Sequence, residues 1–288
     1  MLRRHKKLLV IAAAMFAAMV LLWLLRGHLL PLVSEDPQHY LAARFGSGGA
    51  LADRNGHIMR VYADKYGDLS VYTSLASHSS ELIDAVLIAE DRNFYSHPGF
   101  DLPAIMRAAW QNLVNRRVVS GASTISQQLM RVIRPAPRNL SSKITELLMA
   151  LRLEQNTSKD LILEYYLNAV SMFGNVRGIH LAAQLLFGKS PAMLNLAESA
   201  TLAAAIQAPG RFDPFSARGN SQLRKRRNWI LAQMLKMGKC NEPQYKNALK
   251  ASIPTYRRKL PFHAPHFCDL AVNLFGDPVG LQPATIDL

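Results

Sequence analysis

The feature that most constrains this chain is an uncharged apolar segment near its N-terminus, residues 8–25. As an α-helix this segment would extend about 27 Å, close to the roughly 30 Å hydrocarbon core of a bilayer. Four basic residues precede it and Arg26 alone follows closely, which predicts a cytoplasmic N-terminus and an exported remainder. The apolar run exceeds the 7–15 residues or so of a signal peptide, and no small-residue cleavage site follows it. We therefore expect an uncleaved transmembrane anchor.

The formal net charge of +14 indicates an anionic partner. Because an exported domain rarely meets nucleic acid, we expect no nucleic-acid partner and favour anionic lipid headgroups or a phosphate-bearing lipid. The two cysteines, Cys240 and Cys268, fit no metal-binding spacing, and no histidine cluster completes one. The sequence therefore assigns no metal ligands.

Beyond the anchor, an alternating stretch around Asn55-Gly56 predicts a β-hairpin within residues 51–72. From residue 79 to about 250 the pattern is mostly helical, with Ser79 as a helix cap and Ser190-Pro191 as another helix start. The predicted organisation is a basic cytoplasmic tail (1–7), a transmembrane anchor (8–25), a stem (26–50), a mainly α domain (51–250) and a Pro-rich C-terminal tail of little periodicity (251–288).

Two adjacent acids, Glu90 and Asp91, end the apolar run "LIDAVLIA". Glu90 is the next place on the helical stripe of Ile83, Val86 and Leu87, whereas Asp91 would turn about 100° away. A carboxyl on an apolar face loses hydration, which predicts a raised pKa and suits a general base near neutral pH. Taken alone, Glu90 could equally be a solvated carboxylate at a fraying helix end.

Two further segments carry polar groups. Residues 120–138 combine small polar side chains suited to sugar hydroxyls with arginines suited to phosphate oxygens; the alternative is a polar helix start with a solvated basic face. In residues 141–154, Lys143 and Glu146 stand three positions apart, and the alternative there is an ordinary surface ion pair. No S-x-x-K sequence occurs, so the serine acyl-transfer signature of penicillin targets is absent.

Taken in order, these segments resemble the peptidoglycan glycosyltransferase family, the lysozyme-like transglycosylase half of class A penicillin-binding proteins. The family's motif E-D-x-x-F-x-x-H-x-G is matched by Glu90, Asp91, Phe94, His97 and Gly99. Its motif G-x-S-T-x-x-Q-Q is matched by Gly121, Ser123, Thr124, Gln127 and Gln128. Its third motif, R-K-x-x-E, is matched at Lys143 and Glu146, and its fourth by Lys159, Ile162, Leu163, Glu164, Tyr166, Leu167 and Asn168.

The resemblance covers roughly residues 50–270, and "HAPHF" (263–267) is similar to the penicillin-binding protein 1C branch. Ser142 departs from the family, because it stands where the third motif usually has Arg and so removes one cation near the substrate's phosphates. The chain stops at "ATIDL", where bifunctional relatives have a similar strand leading into a transpeptidase domain. We therefore interpret residues 251–288 as a remnant of the linker to a missing transpeptidase domain, and we expect no transpeptidase activity.

The resemblance implies a mainly α, lysozyme-like glycosyltransferase fold with a small membrane-facing jaw, here preceded by one N-terminal transmembrane helix. The jaw would be supplied by apolar residues between the first and third motifs, although core packing would account for about half of them: Met106, Trp110, Leu113, Val114, Val118, Val119, Leu129, Met130, Val132 and Ile133. The implied reaction is polymerisation of lipid II into β-1,4-linked glycan with inversion and release of undecaprenyl pyrophosphate.

By the same resemblance, Glu90 is the general base on the acceptor hydroxyl and Glu146 assists at the pyrophosphate. The implied substrate-binding residues are Asp91, Phe94, His97, Ser123, Thr124, Gln127, Gln128, Arg131, Arg138, Lys143 and Asn168. The family often uses Mg²⁺ or Mn²⁺ at the pyrophosphate.

The expected partners are lipid II, the growing glycan strand and the membrane, with cell-wall synthesis proteins as further candidates. The expected location is the bacterial inner membrane, with a single-pass anchor and the catalytic domain in the periplasm. Two other functions stay open: an inactive scaffold that binds lipid II or wall-synthesis partners, and a lysozyme-like enzyme that cleaves glycan with Glu90 as its acid.

Overall fold

A computed structural model describes residues 36–45, 48–115, 121–137, 139–276 and 284–285. The predicted basic tail and anchor, and much of the predicted stem, lie outside these ranges. Of the helices within them, none is both long and apolar enough to cross a membrane.

The described chain is mainly helical, which confirms the predicted fold class at that level. Its helices are α1 (Pro37–Phe45), α2 (Ser80–Glu90), α3 (Leu102–Asn115), α4 (Ile125–Ile133), α5 (Leu140–Asn156), α6 (Lys159–Ala169), α7 (Ile179–Phe187), α8 (Leu196–Ile206), α9 (Ala217–Lys236), α10 (Glu242–Lys250) and α11 (Pro265–Phe275). Its strands are β1 (Gly49–Ala52), β2 (Ile58–Tyr62) and β3 (Ala284–Thr285).

The chain divides into two compact units. Of the described residues, those in 36–38 and 93–159 form the small unit, and those in 39–92 and 160–285 form the large unit. The small unit therefore contains α3, α4 and α5. The large unit contains most of α1, the whole of α2, nearly all of α6, helices α7 to α11 and the three strands.

In the small unit, α4 packs against α5. A separate apolar cluster forms around Phe100 and Leu151, which are both buried. Ile144, which periodicity places on the buried stripe of α5, is instead 48% exposed. The first fully buried residues of α5 come five positions later, at Met149 and Ala150.

In the large unit, α2 packs against α8 and α9. The Ser79 side chain accepts a hydrogen bond from the Leu82 amide, so the predicted cap of α2 is confirmed. The predicted start at Ser190-Pro191 is wrong, because Pro191–Met193 form only a short 3-10 turn. Helix α8 begins at Leu196, where Asn195 and Glu198 exchange side-chain to backbone hydrogen bonds in a capping box.

The predicted hairpin is present, with shorter strands than the 51–72 pattern suggests. Strand β1 pairs antiparallel with β2 and parallel with β3, in the order β2-β1-β3. The tail beyond residue 251 is less irregular than expected, since it contains α11. That helix buries Cys268 and Ala271 against Leu51 of β1, and both cysteines are free thiols.

Candidate active site

Glu90 and Asp91 lie at the C-terminal end of α2. Glu90 is the last helical residue and Asp91 is the C-cap, with φ −159° and ψ 85°. Asp91 is only 6% exposed. Glu90 is half-buried, and its Oε1 atom is shielded from solvent. The expectation that Glu90 turns inward and Asp91 aside is thus wrong for Asp91, because the chain leaves helical geometry there and the 100° step no longer applies.

A cation that sequence reasoning missed lies beside Glu90. Arg226 of α9 donates from Nη2 to the Ala89 carbonyl at 3.2 Å and interacts electrostatically with Glu90. Burial lowers the pKa of the Arg226 guanidinium, Glu90 opposes that shift, and Arg92 adds to it. A nearby positive charge favours an ionised carboxylate, the form in which a general base accepts a proton. The large unit therefore presents a carboxylate with a cationic neighbour.

In the small unit, the first and second motifs meet at Gly99. Gly99 has φ +97°, a backbone conformation that favours glycine. A Cβ atom there would also lie 3.1 Å from the Ala150 carbonyl oxygen of α5, so a side chain would be crowded. Its own carbonyl accepts hydrogen bonds from Thr124 Oγ1 at 2.7 Å and from Gln127 Nε2 at 3.4 Å. Thr124 also caps α4 by accepting from the Gln127 amide. These two buried side chains hold the turn that follows the first motif.

Phe94 and His97 lie on the same turn and are also buried. Lys159 spans them, since its Nζ atom donates to the His97 carbonyl at 2.6 Å and lies 4.4 Å from the centre of the Phe94 ring. Lys159 also pairs with Glu154 at 2.6 Å. The first and fourth motifs are therefore joined through a lysine, and the described contacts of Phe94 are ring contacts inside the unit.

Four residues form what we call the cationic cluster: Ser123 of the second motif, Arg131 three residues after that motif, and Lys143 and Glu146 of the third. Arg131 grips Glu146 with two hydrogen bonds, Nε to Oε1 at 3.1 Å and Nη2 to Oε2 at 2.9 Å. Lys143 donates to Glu146 at 3.2 Å and to Ser123 Oγ at 2.8 Å. Helices α4 and α5 supply the three charged groups, and Ser123 comes from the segment just before α4. The cluster carries one net positive charge.

The two cations stabilise the charge of Glu146, whereas the charged form of Lys143 is disfavoured. Burial alone would raise the pKa of the Glu146 carboxyl, but hydrogen bonds and charges from Arg131 and Lys143 outweigh it and leave the pKa below its ordinary value. Burial and Arg131 together lower the pKa of Lys143, against the opposing effect of Glu146. The side chains of Arg131 and Lys143 remain 43% and 48% exposed, so the cluster is open to an anionic ligand.

The cluster does not fit a protein-held divalent metal. Both Glu146 oxygens accept hydrogen bonds from cations, and the described residues contain no group of three His, Cys, Asp or Glu side chains placed to hold a metal ion. Mg²⁺ sites generally need one or two carboxylates that are open to the ion. We derive no step through a metal.

Asn168 lies in the large unit, and its side chain bonds to main-chain groups of that unit. It is 4% exposed and pairs with both main-chain groups of Thr73, accepting at 2.9 Å and donating at 2.8 Å. One turn earlier, Glu164 accepts from Tyr72 Oη at 2.6 Å and from the Leu75 amide at 2.7 Å. The described contacts of Asn168 and Glu164 thus fix residues 72–75.

The remaining predicted residues are placed as follows. Gln128 is half-buried, and its Nε2 atom lies 3.5 Å from the Ser123 carbonyl. Arg138 lies outside the described residues. The structure brings Ser123, Arg131, Lys143 and Glu146 together. The side chains of Thr124, Gln127 and Asn168 instead bond to the main chain. Substrate-binding and catalytic roles stay predictions for the whole set.

Sequence signals for the missed arginines were present. Arg227 is fully buried and donates to the Ala251 carbonyl at 2.6 Å and the Leu249 carbonyl at 3.2 Å. It stands four residues after Leu223 and three before Ile230, on the buried stripe of α9. A charge on an apolar stripe is the same signal that singled out Glu90, and Arg226 is its neighbour.

A family model described as transglycosylase matches residues 55–235. The chain therefore belongs to the transglycosylase family, as its four motifs predict.

Its curated relatives include penicillin-binding proteins 1C and 1A. It is 34% identical to penicillin-binding protein 1C of Escherichia coli over 238 residues, which are 83% of this chain and 29% of that protein. It is 38% identical to penicillin-binding protein 1A of Pseudomonas aeruginosa over 194 residues, 66% of this chain and 23% of that protein. A crystal structure of penicillin-binding protein 1A from Haemophilus influenzae aligns with a TM-score of 0.43 at 21% identity, covering 81% of this chain and 25% of that one. This chain spans less than a third of the length of either curated relative.

Proposed function

We propose that this protein is a peptidoglycan glycosyltransferase that polymerises lipid II into β-1,4-linked glycan and releases undecaprenyl pyrophosphate. Membership of the transglycosylase family supports the reaction class. The observation that carries the proposal is the cationic cluster, in which Arg131 and Lys143 are held side by side by Glu146 and remain open to solvent. A reaction whose leaving group is a diphosphate needs such positive charge where negative charge develops.

The cluster has the chemistry of a diphosphate site. The planar fork of Arg131 matches phosphate oxygens, and Lys143 adds a compact charge. Glu146 keeps both cations within reach of Ser123, although it does not itself contact a phosphate in this proposal. We assign Arg131 and Lys143 to binding the pyrophosphate and Glu146 to orienting them.

Glu90 is the proposed general base. It would accept the proton of the sugar 4-hydroxyl that attacks the anomeric carbon, while the bond to the pyrophosphate oxygen breaks on the opposite face and the configuration inverts. In inverting glycosidases a carboxylate activates water in the same way, and here the acceptor hydroxyl replaces the water. Arg226, which donates to the Ala89 carbonyl, places a positive charge beside the Glu90 carboxyl.

Helix α3 supports a membrane contact. Met106, Trp110 and Val114 recur every four residues and are 44%, 59% and 61% exposed, so they form an apolar stripe on one helix face. Leu129, Met130 and Ile133 are buried instead, and residues 118–119 lie outside the described part. We propose that the α3 stripe contacts the outer leaflet of the inner membrane and that residues 8–25 anchor the chain there, with the catalytic units in the periplasm.

A catalytically impaired scaffold is the second candidate, favoured by Ser142. This residue lies half-buried in the first turn of α5 beside Lys143, where the family pattern has an additional cation. Fewer cations mean weaker stabilisation of the leaving pyrophosphate, whereas binding of an anionic lipid could persist on Arg131 and Lys143.

Purified full-length protein incubated with labelled lipid II in detergent tests both candidates. Glycan polymer from the wild type, and none from Glu90→Gln, is the result expected for a glycosyltransferase. Retained lipid II binding without any polymer would support the scaffold and contradict catalysis. Shortening of preformed glycan without polymer would instead indicate a glycan-cleaving enzyme.

A further inference from the structure

Helix α9 of the large unit carries charge of one sign only. Its 20 residues contain six Lys and Arg side chains and no Asp or Glu. The six include Arg218, Lys225 and Lys236, which are exposed and form no ion pair with another described residue. Elsewhere in the same unit, Lys189 and Lys239 do pair with acids. The exposed side of α9 therefore carries positive charge that no neighbouring acid balances.

Three cations and a tryptophan follow one line along this helix. Arg218, Lys225, Trp229 and Lys236 are spaced by seven, four and seven residues, which is close to two, one and two turns of an α-helix. All four are exposed, and the line extends about 27 Å along the axis. We call these four residues the basic ridge. The buried side of α9 faces away from it and includes Leu223, Arg227, Ile230, Leu231 and Met234.

Two further arginines lie beside the ridge, and each is held by a glutamine of α9. Arg211 donates from Nε to Oε1 of Gln222 at 2.6 Å, and Arg92 donates from Nη2 to Oε1 of Gln233 at 2.9 Å. The two glutamines stand about three turns apart, so they lie on the same flank of the helix. A glutamine orients a guanidinium without cancelling its charge, as a carboxylate would. Both arginines stay exposed and add to the positive charge of the ridge.

Trp229 lies within the ridge and is 40% exposed. The guanidinium carbons of Arg226 and Arg92 lie 4.3 Å and 5.7 Å from the centre of its ring, and such cation–π contacts hold an indole in place. Tryptophan is enriched at membrane–water interfaces, because its ring is apolar and its N–H is polar. The ridge thus combines fixed positive charge with an interfacial side chain.

The shape of the ridge favours an extended anionic surface as its ligand. The exposed side of a helix is convex, and its cations are spread over about 27 Å, so one small anion could contact only one or two of them. A layer of anionic phospholipid headgroups presents negative charge over such a length and attracts clustered Lys and Arg. It also accounts for the exposed tryptophan, which an acidic polymer would not require.

We propose that the basic ridge docks the large unit on anionic phospholipid headgroups. Trp229 would lie at the level of the headgroups, with the five exposed cations against their phosphates. The α3 stripe belongs to the small unit and is apolar, whereas the ridge acts through charge. The proposal goes beyond the proposed function, since it concerns attachment to a lipid surface and involves no turnover.

The test uses the full-length protein reconstituted into vesicles. Trp23→Phe and Trp110→Phe leave Trp229 as the only tryptophan, and quenching of its fluorescence by a lipid with a nitroxide on the headgroup reports contact with the bilayer surface. Vesicles of phosphatidylcholine mixed with phosphatidylglycerol are compared with vesicles of phosphatidylcholine alone. We expect strong quenching only in the anionic vesicles, and its loss at about 1 M salt, where the Debye length falls to about 3 Å.

Variants assign the contact to the ridge. Each Lys or Arg beside an anionic bilayer strengthens attachment about fivefold, so Lys225→Gln with Lys236→Gln should weaken the docking equilibrium about 25-fold. Lys250→Gln with Lys259→Gln is the matched control, because it removes the same charge from exposed positions of the same unit outside α9. The control should retain the quenching. Since all four lysines are exposed, these substitutions should leave folding intact.

Several results would overturn the proposal. These are absence of quenching in anionic vesicles, equal quenching in the two kinds of vesicle, and equal quenching in the ridge and control variants. Protection of Trp229 from the soluble quencher acrylamide by polyglutamate in detergent, without headgroup quenching in vesicles, would instead identify an acidic polymer as the partner. Because no turnover is measured, these results are separate from success or failure of the lipid II assay.

Discussion

The two units use their polar motif residues in different ways. In the small unit, Arg131, Lys143 and Glu146 bond mainly to one another, and both cations are nearly half exposed. In the large unit, Glu164 and Asn168 bond to the main chain of residues 73–75. Exposed ion pairs contribute only about 0.2–1 kcal/mol, so a ligand can replace them. Buried side-chain to main-chain bonds cannot be exchanged without leaving groups unpaired.

This difference separates residues that can act on a substrate from residues that position the fold. Thr124 and Gln127 belong with the second group although they lie in the small unit, because they are buried on the Gly99 carbonyl. A family motif therefore mixes chemistry with scaffolding, and its pattern does not say which residue does which. Substitutions that affect stability and turnover separately can break or sharpen the distinction.

The largest effect on stability is expected at Asn168. Asn168→Leu would remove three hydrogen bonds to main-chain groups of Thr73 and Glu164 and would leave the N–H and C=O of Thr73 without these partners. We expect the free energy of unfolding to fall by about 2–4 kcal/mol, measured by urea denaturation. Asn175→Leu is the matched control, since exposed Asn175 makes a single bond to the Gly67 carbonyl, and it should cost less than about 1 kcal/mol. Equal losses would show that Asn168 is no scaffold residue.

A second effect of similar size concerns pH. The pKa of His180 is lowered to about 4, first by burial and then by His78, and burial also lowers the pKa of His78 despite its bonds to residues 74 and 75. The unfolded chain therefore binds these protons first as pH falls, and stability should drop between about pH 6.5 and pH 4, by about 3 kcal/mol for His180 alone.

Denaturation curves across that window, compared between wild type and His180→Phe, measure the contribution of His180. The variant should show a shallower loss, since only His78 remains. Superimposable pH profiles would mean that His180 does not set the acid stability of the large unit.

A smaller effect, confined to turnover, is expected in the cationic cluster. Lys143→Met should lower kcat/KM for lipid II about 10- to 100-fold, because a charge-assisted hydrogen bond to the leaving group is worth about 1.5–3 kcal/mol. Its free energy of unfolding should change by less than about 1 kcal/mol. Lys189→Met is the control, since Lys189 forms a comparable pair with Glu198 at 2.8 Å but lies in the other unit. A loss of stability without a loss of rate would reverse the assignment.

The smallest effect is expected at Ser142. Ser142→Arg would restore the missing cation beside Lys143 and should raise kcat/KM by a few-fold, because charges near a partly exposed site are screened by solvent and contribute about 1 kcal/mol or less. The increase should shrink at high salt. Initial rates at low and high ionic strength check this, and an unchanged rate at both would show that residue 142 does not influence the pyrophosphate.

Local signals in the sequence predicted much of this fold. Ser79 caps α2 as expected because a cap depends only on residues within one turn. Helix α8 was misplaced because Ser190-Pro191 and Asn195-Glu198 are both valid start signals, and packing selects the second. Burial of Asp91 was missed because periodicity was extended one residue past the end of α2, where φ is −159°.

The site was predictable in membership but not in arrangement. The spacing of Lys143 and Glu146 indicates their pairing, because both lie on α5. The double hydrogen bond from Arg131 joins two helices, and no local pattern encodes how α4 and α5 pack. Arg226 stands far from Glu90 in sequence, so its charge became visible only once α9 was placed against α2.

The initial rate of lipid II polymerisation by Glu90→Gln, measured on protein with wild-type unfolding behaviour, tests the central claim most directly. If Glu90 is the general base, the rate should fall by about 10²–10⁴-fold, the usual contribution of proton transfer, with lipid II affinity retained through Arg131 and Lys143. A variant that polymerises lipid II at the wild-type rate would contradict the assignment of Glu90 and the mechanism built on it.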